Sequence, residues 1–361
     1  MNDEQWMERC LVLAERAWGR TSPNPLVGAV IVKEGVAVGE GFHPKAGEPH
    51  AEVFALRAAG DEARGATLYV NLEPCNHRGR TPPCTEAILA GGIRRVVVGM
   101  IDPNPLVAGS GIERLRSAGL EVTVGVLAER CQKFNEVFSH WITTGRPFGV
   151  LKYAMTLDGK TATRTGHSFW VSGEAARARV HRLRALYDAT IVGGNTVRLD
   201  DPQLTVRLAE GRDPLRVVLS RSLQLPVSAR LWQEQDKAPT LVFTTAEADP
   251  TVRAQLERLG VEVEAMPELT PAAVLAVLAR RRCTSVLWEC GGTLAWSALR
   301  DGSVQKVMSF VAPALIGGAA AFTPVAGAGF EKMHEAIRLE RLIAEPVGAD
   351  WLLSGYLPSG D

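Results

Sequence analysis

Between Gly47 and Cys84 the chain reads G-E-P-H-A-E-V-F-A-L, then a short apolar run, then L-E-P-C-N-H-R-G-R-T-P-P-C. No other stretch constrains the fold as strongly, because its histidine, two cysteines and acid have to converge. His50, Cys75 and Cys84 are ligands of the kind that hold zinc, and a set of three leaves one tetrahedral corner open. An open corner marks a catalytic zinc rather than a structural one, since water there becomes a nucleophile near neutral pH. Glu52 follows closely on His50, near such a metal but not needed to bind it, which is where a proton shuttle belongs. Pro49 suits a first helical residue, and Val53, Leu56 and Ala59 recur at helical spacing. His50 and Glu52 are therefore predicted in the first turn of a helix. Thr67–Leu72 reads as a buried strand, with Pro74 and Cys75 just past its end. Pro83 and Cys84 open a second helix that runs through Ile88 to Gly91. The positive end of that helix favours a thiolate.

A His-x-Glu followed by Pro-Cys and a second Cys resembles the pattern of zinc-dependent nucleobase deaminases. One spacing departs from it: Asn76 to Pro83 separate the two cysteines, where that pattern has C-x-x-C. The longer loop carries Asn76, His77 and Arg80, donors able to hold the polar or phosphorylated tail of a substrate. Two unrelated core cysteines and a surface histidine are the competing reading. It fits poorly with Pro-Cys pairs set among Gly, Arg and Asn. A structural zinc protein is a further alternative, but it needs a fourth ligand. His43 and His77 are the nearby candidates, and Glu52 would then have no purpose.

With 361 residues the chain has room for two domains. Its 40 basic and 40 acidic residues cancel, which argues for a small-molecule substrate over nucleic acid, whose readers carry a basic face. The acidic start M-N-D-E-Q-W lacks the regions of a signal peptide. No apolar run approaches the roughly 20 residues of a membrane span. Cys10, Cys131, Cys283 and Cys290 show no metal spacing and are expected to be reduced thiols of a cytoplasmic protein. Neither membrane nor nucleic acid is expected as a partner, and homo-oligomerisation is left open.

In chain order, residues 4–18 read as a helix and Val27–Val32 as a strand. Asn24, held between Pro23 and Pro25, is either a turn asparagine or an amide aimed at a pyrimidine edge. Val36–Gly41 is a second strand. After Cys84 the pattern runs strand Arg95–Met100, helix Ile112–Ala118, strand Glu121–Val126, helix Ala128–Trp141. Such alternation predicts a three-layer α/β domain. Thr143–Pro147 is a polar linker with breakers. The second half begins with a strand, Phe148–Ala154. Lys152 inside it is either an edge residue with its head in water or functional. A helix at Glu174–Leu186 is followed by strands at Ala189–Val192, Leu215–Leu219, Thr240–Phe243, Val261–Ala265, Ser285–Trp288 and Val307–Val311. No G-x-G-x-x-G follows an early strand. Gly193-Gly194 and Gly291-Gly292, at strand ends, are turns or places where a phosphate approaches the backbone.

The motifs T-S-P-N-P-L-V-G-A-V-I-V, G-E-P-H-A-E, N-L-E-P-C-N-H-R-G-R-T-P-P-C and D-P-N-P-L-V-A-G-S-G resemble the deaminase half of the bifunctional riboflavin biosynthesis family RibD. L-K-Y-A-M-T-L-D-G-K, S-F-W-V-S-G, V-G-G-N-T-V-R-L-D-D-P-Q-L-T-V-R and E-C-G-G-T-L-A resemble its reductase half, in the same order. The resemblance implies a cytidine-deaminase-like domain over residues 1–144 and a dihydrofolate-reductase-like domain over 145–361. It implies one Zn2+ per chain, NADPH, and a phosphorylated pyrimidine ribosylamine as substrate. By the same resemblance His50, Cys75 and Cys84 hold the metal, and Glu52 shuttles protons. Asn24, His43, His77, Arg80, Asp102 and Asn104 contact the substrate of the first half. Ser168, Arg184, Leu204, Arg207 and Glu289 hold the sugar phosphate of the second, with Lys152 facing it as the candidate catalytic cation. Ala154, Trp170, Thr196, Asp200, Ser222, Gly291 and Gly292 take the NADPH positions. Phe54, Ser220-Arg221-Ser222 and Gln305-Lys306 depart from the family pattern, and a deaminase with a silent reductase-like half is the alternative this leaves.

Overall fold

The computed structural model describes residues 1–77, 82–105 and 107–358. The chain divides into two compact units, Met1–Gly145 and Arg146–Asp361.

The elements of the first unit are α1 (Asp3–Glu15), β1 (Gly28–Lys33), β2 (Val36–Phe42), α2 (Ala51–Ala59), β3 (Thr67–Leu72), α3 (Cys84–Ala90), β4 (Arg95–Met100), α4 (Ser110–Ser117), β5 (Glu121–Val124), α5 (Ala128–Phe134) and α6 (Glu136–Thr144). Its sheet runs β2-β1-β3-β4-β5. β1 is antiparallel to both neighbours, while β3, β4 and β5 are parallel. Asn2 opens α1 with a capping box to Gln5. The core is the apolar face of α1 (Met7, Leu11, Ala14), the strand interiors (Val30, Ile31, Val70, Val97) and the small side chains of α2. Glycines set the depth of α2. A Cβ on Gly39 would stand 2.3 Å from the Ala55 carbonyl, and one on Gly41 2.4 Å from that of Ala51. The helix carrying Glu52 is thus seated backbone to backbone on β2.

Two predicted elements differ. His50 is the N-cap of α2 rather than part of its first turn. The single helix predicted over Ala128–Trp141 breaks at Asn135. There the side-chain amide accepts from the Leu26 N–H at 2.8 Å and donates to the Leu26 carbonyl at 3.0 Å. Asn71 holds the same strand entrance, bonding Gly28 N and Leu26 O at 2.8 and 2.9 Å. Two buried amides therefore fix the backbone just after Asn24, and satisfying that backbone outweighs continuing the helix.

The second unit contains β6 (Phe148–Thr156), α7 (Glu174–Leu186), β7 (Ala189–Gly193), α8 (Gly194–Asp200), β8 (Leu215–Leu219), β9 (Thr240–Thr244), α9 (Pro250–Arg258), β10 (Glu262–Ala265), α10 (Pro271–Arg280), β11 (Ser285–Trp288), α11 (Gly292–Arg300), β12 (Lys306–Ala312), β13 (Glu340–Val347) and β14 (Asp350–Tyr356). They form one sheet in the order β10-β9-β8-β7-β11-β6-β12-β14-β13. The strands from β10 to β12 are parallel, and β14 and β13 close the far edge antiparallel. Strands buried on both faces read as unbroken apolar runs, which is why β7, β8, β9 and β11 were legible. Of the two readings left open for Gly193-Gly194, the structure gives the start of a helix, α8, with Gly193 as its N-cap.

β6 lies between β11 and β12. An edge-strand lysine is therefore not what Lys152 is: its side chain is 13% exposed and ion-paired.

Candidate active sites

In the first unit, the end of β3, the N-cap of α2 and the first residue of α3 meet. The ligand atoms of His50, Cys75 and Cys84 all lie within 4.8 Å of one another. His50 Nδ1 is 3.2 Å from Cys84 Sγ and 3.5 Å from Cys75 Sγ. The Cys84 N–H, at the start of α3, points at Cys75 Sγ from 3.4 Å. Cys75 is held down at about 4, first by its hydrogen bond with Cys84 and then by His50 and that N–H. Cys84 is pushed up by the same shared bond and by burial. One imidazole nitrogen and two sulfurs, one of them readily a thiolate, form a donor set that fits zinc. Glu52 stands beside it, 3% exposed. Its Oε2 is buried with no hydrogen-bond partner among the described residues, and burial raises its carboxyl above the usual range. An unpartnered buried carboxylate oxygen is rare enough to need a reason.

His43 does not complete the ligand set. Its ring meets that of His50 edge-on, with centroids 5.4 Å apart, but both its nitrogens are engaged. Nδ1 donates to the Pro49 carbonyl at 3.0 Å, so Nε2 is left to accept from Asn24 Nδ2 at 3.0 Å. Burial lowers its pKa, in keeping with that neutral tautomer. The arrangement ties the Asn24 amide to His43, beside His50, through one of its two N–H groups. His77 is exposed, and no fourth protein ligand joins the cluster among the described residues. Asp102 is nearly buried, and burial raises its carboxyl; Asn104 N donates to its Oδ1 at 2.9 Å. The start of α4 lies close against the residue before Cys75: a Cβ on Gly111 would stand 2.0 Å from the Pro74 carbonyl. Arg80 lies outside the described residues.

The second unit holds a cavity of about 870 Å³, a size that suits a small-molecule site. Lys152, Ala154, Ser168, Thr196, Asp200, Ser222, Glu289, Gly291 and Gly292 line it. Arg184, Leu204, Arg207 and Trp170 do not. Leu204 is 2% exposed within the apolar cluster of Val197, Leu223 and Leu225, so its side chain serves the core. Trp170 is exposed and lies under the Arg177 guanidinium, 4.7 Å from ring centroid to carbon. Ser168 Oγ donates to Asp200 Oδ1 at 3.2 Å.

Glu289 is the centre of charge. Arg184 grips it with Nε at 2.6 Å and Nη2 at 3.0 Å, and Lys152 Nζ lies 3.3 Å from Oε2. Burial alone would raise this carboxyl, but the Arg184 and Lys152 charges hold it at about 2. Lys152 itself is lowered by burial. The network continues through Thr205, whose carbonyl faces Arg184 Nη1 at 3.4 Å and whose hydroxyl accepts from Arg207 Nη1 at 2.8 Å. His181 accepts the Arg207 N–H at 3.0 Å, and burial with the two arginine charges takes it down to about 4.

Sequence reasoning missed Glu73, which carries the backbone of the β4–α4 connection. It sits in the same L-E-P-C motif as Cys75, so an acid at a buried strand end was the available signal. Also missed were residues 319–324 and 326, which line the cavity and pack against the start of α11. Gly292 is required there, since a Cβ would meet the Thr323 carbonyl at 2.7 Å.

Comparison with known proteins agrees with both halves. Residues 1–100 match the family model for the cytidine and deoxycytidylate deaminase zinc-binding region, and 147–353 match the RibD C-terminal domain. The riboflavin biosynthesis protein RibD of Synechocystis sp. is 57% identical over 361 residues, covering 100% of this chain and 98% of that protein. The RibD structure from Acinetobacter baumannii superposes with a TM-score of 0.86 at 41% identity, over 99% of each chain. A diaminohydroxyphosphoribosylaminopyrimidine deaminase/5-amino-6-(5-phosphoribosylamino)uracil reductase from Thermotoga maritima gives 0.87 at 38%, over 99% of each chain. Among the described residues no helix is long and apolar enough to cross a membrane. With such relatives along its whole length and the two family models matched in order, the chain belongs to the RibD family of bifunctional deaminase–reductases.

Proposed function

We propose that the first unit hydrolyses the 2-amino group of 2,5-diamino-6-(5-phosphoribosylamino)pyrimidin-4-one, and that the second reduces the ribosyl chain of the resulting uracil to ribityl with NADPH. The observation that carries this reading is the cluster of His50, Cys75 and Cys84 with Glu52 Oε2 beside it, buried and without a hydrogen-bond partner among the described residues. One zinc per chain, held by those residues, would supply the Lewis acidity that makes a water nucleophilic near neutral pH. Hydrolysis exchanges a carbon–nitrogen bond for a carbon–oxygen bond and releases ammonia. A proton must leave water, and protons must reach the ring and the departing amine. Glu52 is the group we assign to carry them. Asn24 offers its amide oxygen and its second N–H to the pyrimidine edge, His43 taking only one of the two N–H groups. Asp102 and Asn104 contribute polar groups from the β4–α4 connection, and His77 and Arg80 are assigned to the phosphorylated tail.

In the second unit Lys152, Arg184 and Arg207 carry three positive charges, against the carboxylate of Glu289 and that of Asp213 beside Arg207. That excess supports a phosphorylated sugar as the ligand, and guanidinium forks suit phosphate oxygens. NADPH supplies the hydride; Ala154, Trp170, Thr196, Asp200, Ser222, Gly291 and Gly292 are assigned to hold it. The N-terminus of α11, behind Gly291, suits a pyrophosphate. None of the six cysteines is in a disulfide, which supports a reducing cytoplasm as the compartment.

Incubating the purified protein with the diaminopyrimidinone ribosyl phosphate tests both steps. Without NADPH it should release ammonia and accumulate the uracil. With NADPH it should yield the ribityl product, and metal analysis should find about one zinc per chain. No ammonia from zinc-loaded protein overturns the first assignment. Ammonia without NADPH oxidation overturns the second.

The reductase cations should separate kinetically. Arg207→Ala is expected to raise KM for the phosphorylated substrate about tenfold with kcat little changed, since that contact exists before and during hydride transfer. Lys152→Met is expected to lower kcat by roughly tenfold to a hundredfold, because a buried cation near the sugar acts most on charge developing at oxygen. Unchanged NADPH oxidation by Lys152→Met would remove Lys152 from the reaction.

A further inference from the structure

We propose that Glu73 is a positioning residue for deamination, clamping the substrate-side wall of the first active site to the strand end that carries Cys75. The carboxylate is 3% exposed. Its Oε2 accepts the Asp102 and Gly109 N–H groups at 3.1 and 3.0 Å. Its Oε1 accepts those of Gly111 and Ile112 at 2.9 and 3.3 Å. A carboxylate has about four lone-pair sites, so every one is filled by backbone. Glu73 therefore has no lone pair left for substrate, and its effect on the reaction passes through what it holds.

What it holds is the β4–α4 connection at both ends. Asp102 begins it, and Asn104 N is in turn bonded to Asp102 Oδ1 at 2.9 Å. Gly109, at φ 82°, is the N-cap of α4 and has no side chain to cap with. Gly111 and Ile112 are in the first turn of that helix. Glu73 thus caps α4 from just past the end of β3, satisfying N–H groups that have no intrahelical partner. The approach is close: a Cβ on Gly111 would stand 2.0 Å from the Pro74 carbonyl and 3.2 Å from Glu73 Oε1. The backbone of Glu73 adds a bond to Met100 O at 2.9 Å. A single residue beside Pro74-Cys75 thereby sets the distance between the metal cluster and the wall bearing Asp102 and Asn104.

The inference rests on the reading that Asp102 and Asn104 contact the substrate. The test uses the full-length, zinc-loaded enzyme with Glu73→Gln, Asn104→Ala and the double variant. In Glu73→Gln the carboxamide oxygen keeps two of the bonds while its NH2 meets two N–H donors, so the wall shifts. Deamination KM is expected to rise about tenfold with kcat within about twofold. Zinc content and the reductase KM should not change. The double variant should raise KM by less than the product of the single factors, because the residues act through one network. An unchanged KM in Glu73→Gln, or a fall in kcat with loss of zinc at constant KM, overturns the proposal. If Asn104→Ala itself leaves KM unaltered, the reading beneath it fails. If Asn104→Ala raises KM and Glu73→Gln does not, only the role of Glu73 fails. Should Glu73→Gln not fold, Gly109→Ala loosens the same clamp by straining φ in a place where the new Cβ meets nothing within 4 Å. It should raise KM about threefold at constant kcat, and an unchanged KM there overturns the proposal equally.

Discussion

Replacing Glu52 by glutamine should lower deamination about 10²–10⁴-fold, the usual contribution of a general acid–base group. The amide is nearly isosteric and keeps the oxygen side of the contact, so zinc content and substrate binding should persist. What it loses is the ability to accept a proton from water and return one to the departing amine. The environment is suited to that exchange. Glu52 is buried, its Oε2 has no partner among the described residues, and burial raises its carboxyl toward the neutral form. Ammonia release measures the loss, and zinc per chain shows that the site survives. NADPH oxidation with the uracil as substrate is the internal control and should stay at the wild-type rate. Deamination near the wild-type rate in Glu52→Gln would mean that the shuttle is another group.

Glu289→Leu should destabilise the reductase half by roughly 3–5 kcal/mol, the cost of leaving buried charges without their counter-ion. Lys152 and Arg184 have side chains 13% and 12% exposed and share this one carboxylate. The same residue predicts a pH dependence. Its folded carboxyl lies at about 2, below its ordinary 4.5. A depressed carboxyl contributes stability that is fully present above the unfolded value and is lost as pH falls through the folded one. The window is therefore from pH 4.5 down to about 2, and the contribution above it is roughly 3 kcal/mol. Urea unfolding of wild type should show this acid loss, and in Glu289→Leu this component should be absent. Lys152→Met added to Glu289→Leu should recover part of the stability at about pH 7, since it removes one of the stranded charges. Wild-type stability in Glu289→Leu would mean that water or substrate groups already neutralise the two cations.

The cluster of His50, Cys75 and Cys84 was legible because its donors sit where local signals are strongest. Pro49 and Pro83 mark helix starts, the run to Leu72 marks a buried strand, and each ligand lies at an end of one of these elements. Period and punctuation reach that far. The same signals misread Asn135, because a helix-compatible stretch was interrupted for the sake of Leu26, which is remote in sequence. They also left Lys152 undecided between an edge and a functional position. Whether a strand is interior depends on which other strands flank it, and β11 and β12 enter the sheet more than a hundred residues later in the chain.

By itself the sequence determined which donor side chains gather in the first site and the order of the two halves, because a His, two Cys, a nearby acid and family motifs are properties of residue type and spacing. Tertiary structure alone decided the charge partners. Glu289 joins Lys152 and Arg184, Glu73 caps a helix it does not belong to, and His43 spends both ring nitrogens on Pro49 and Asn24. Hydrogen bonds and ion pairs are made by proximity in space. In a sheet whose strand order differs from its chain order, local sequence carries no record of which buried groups will face each other.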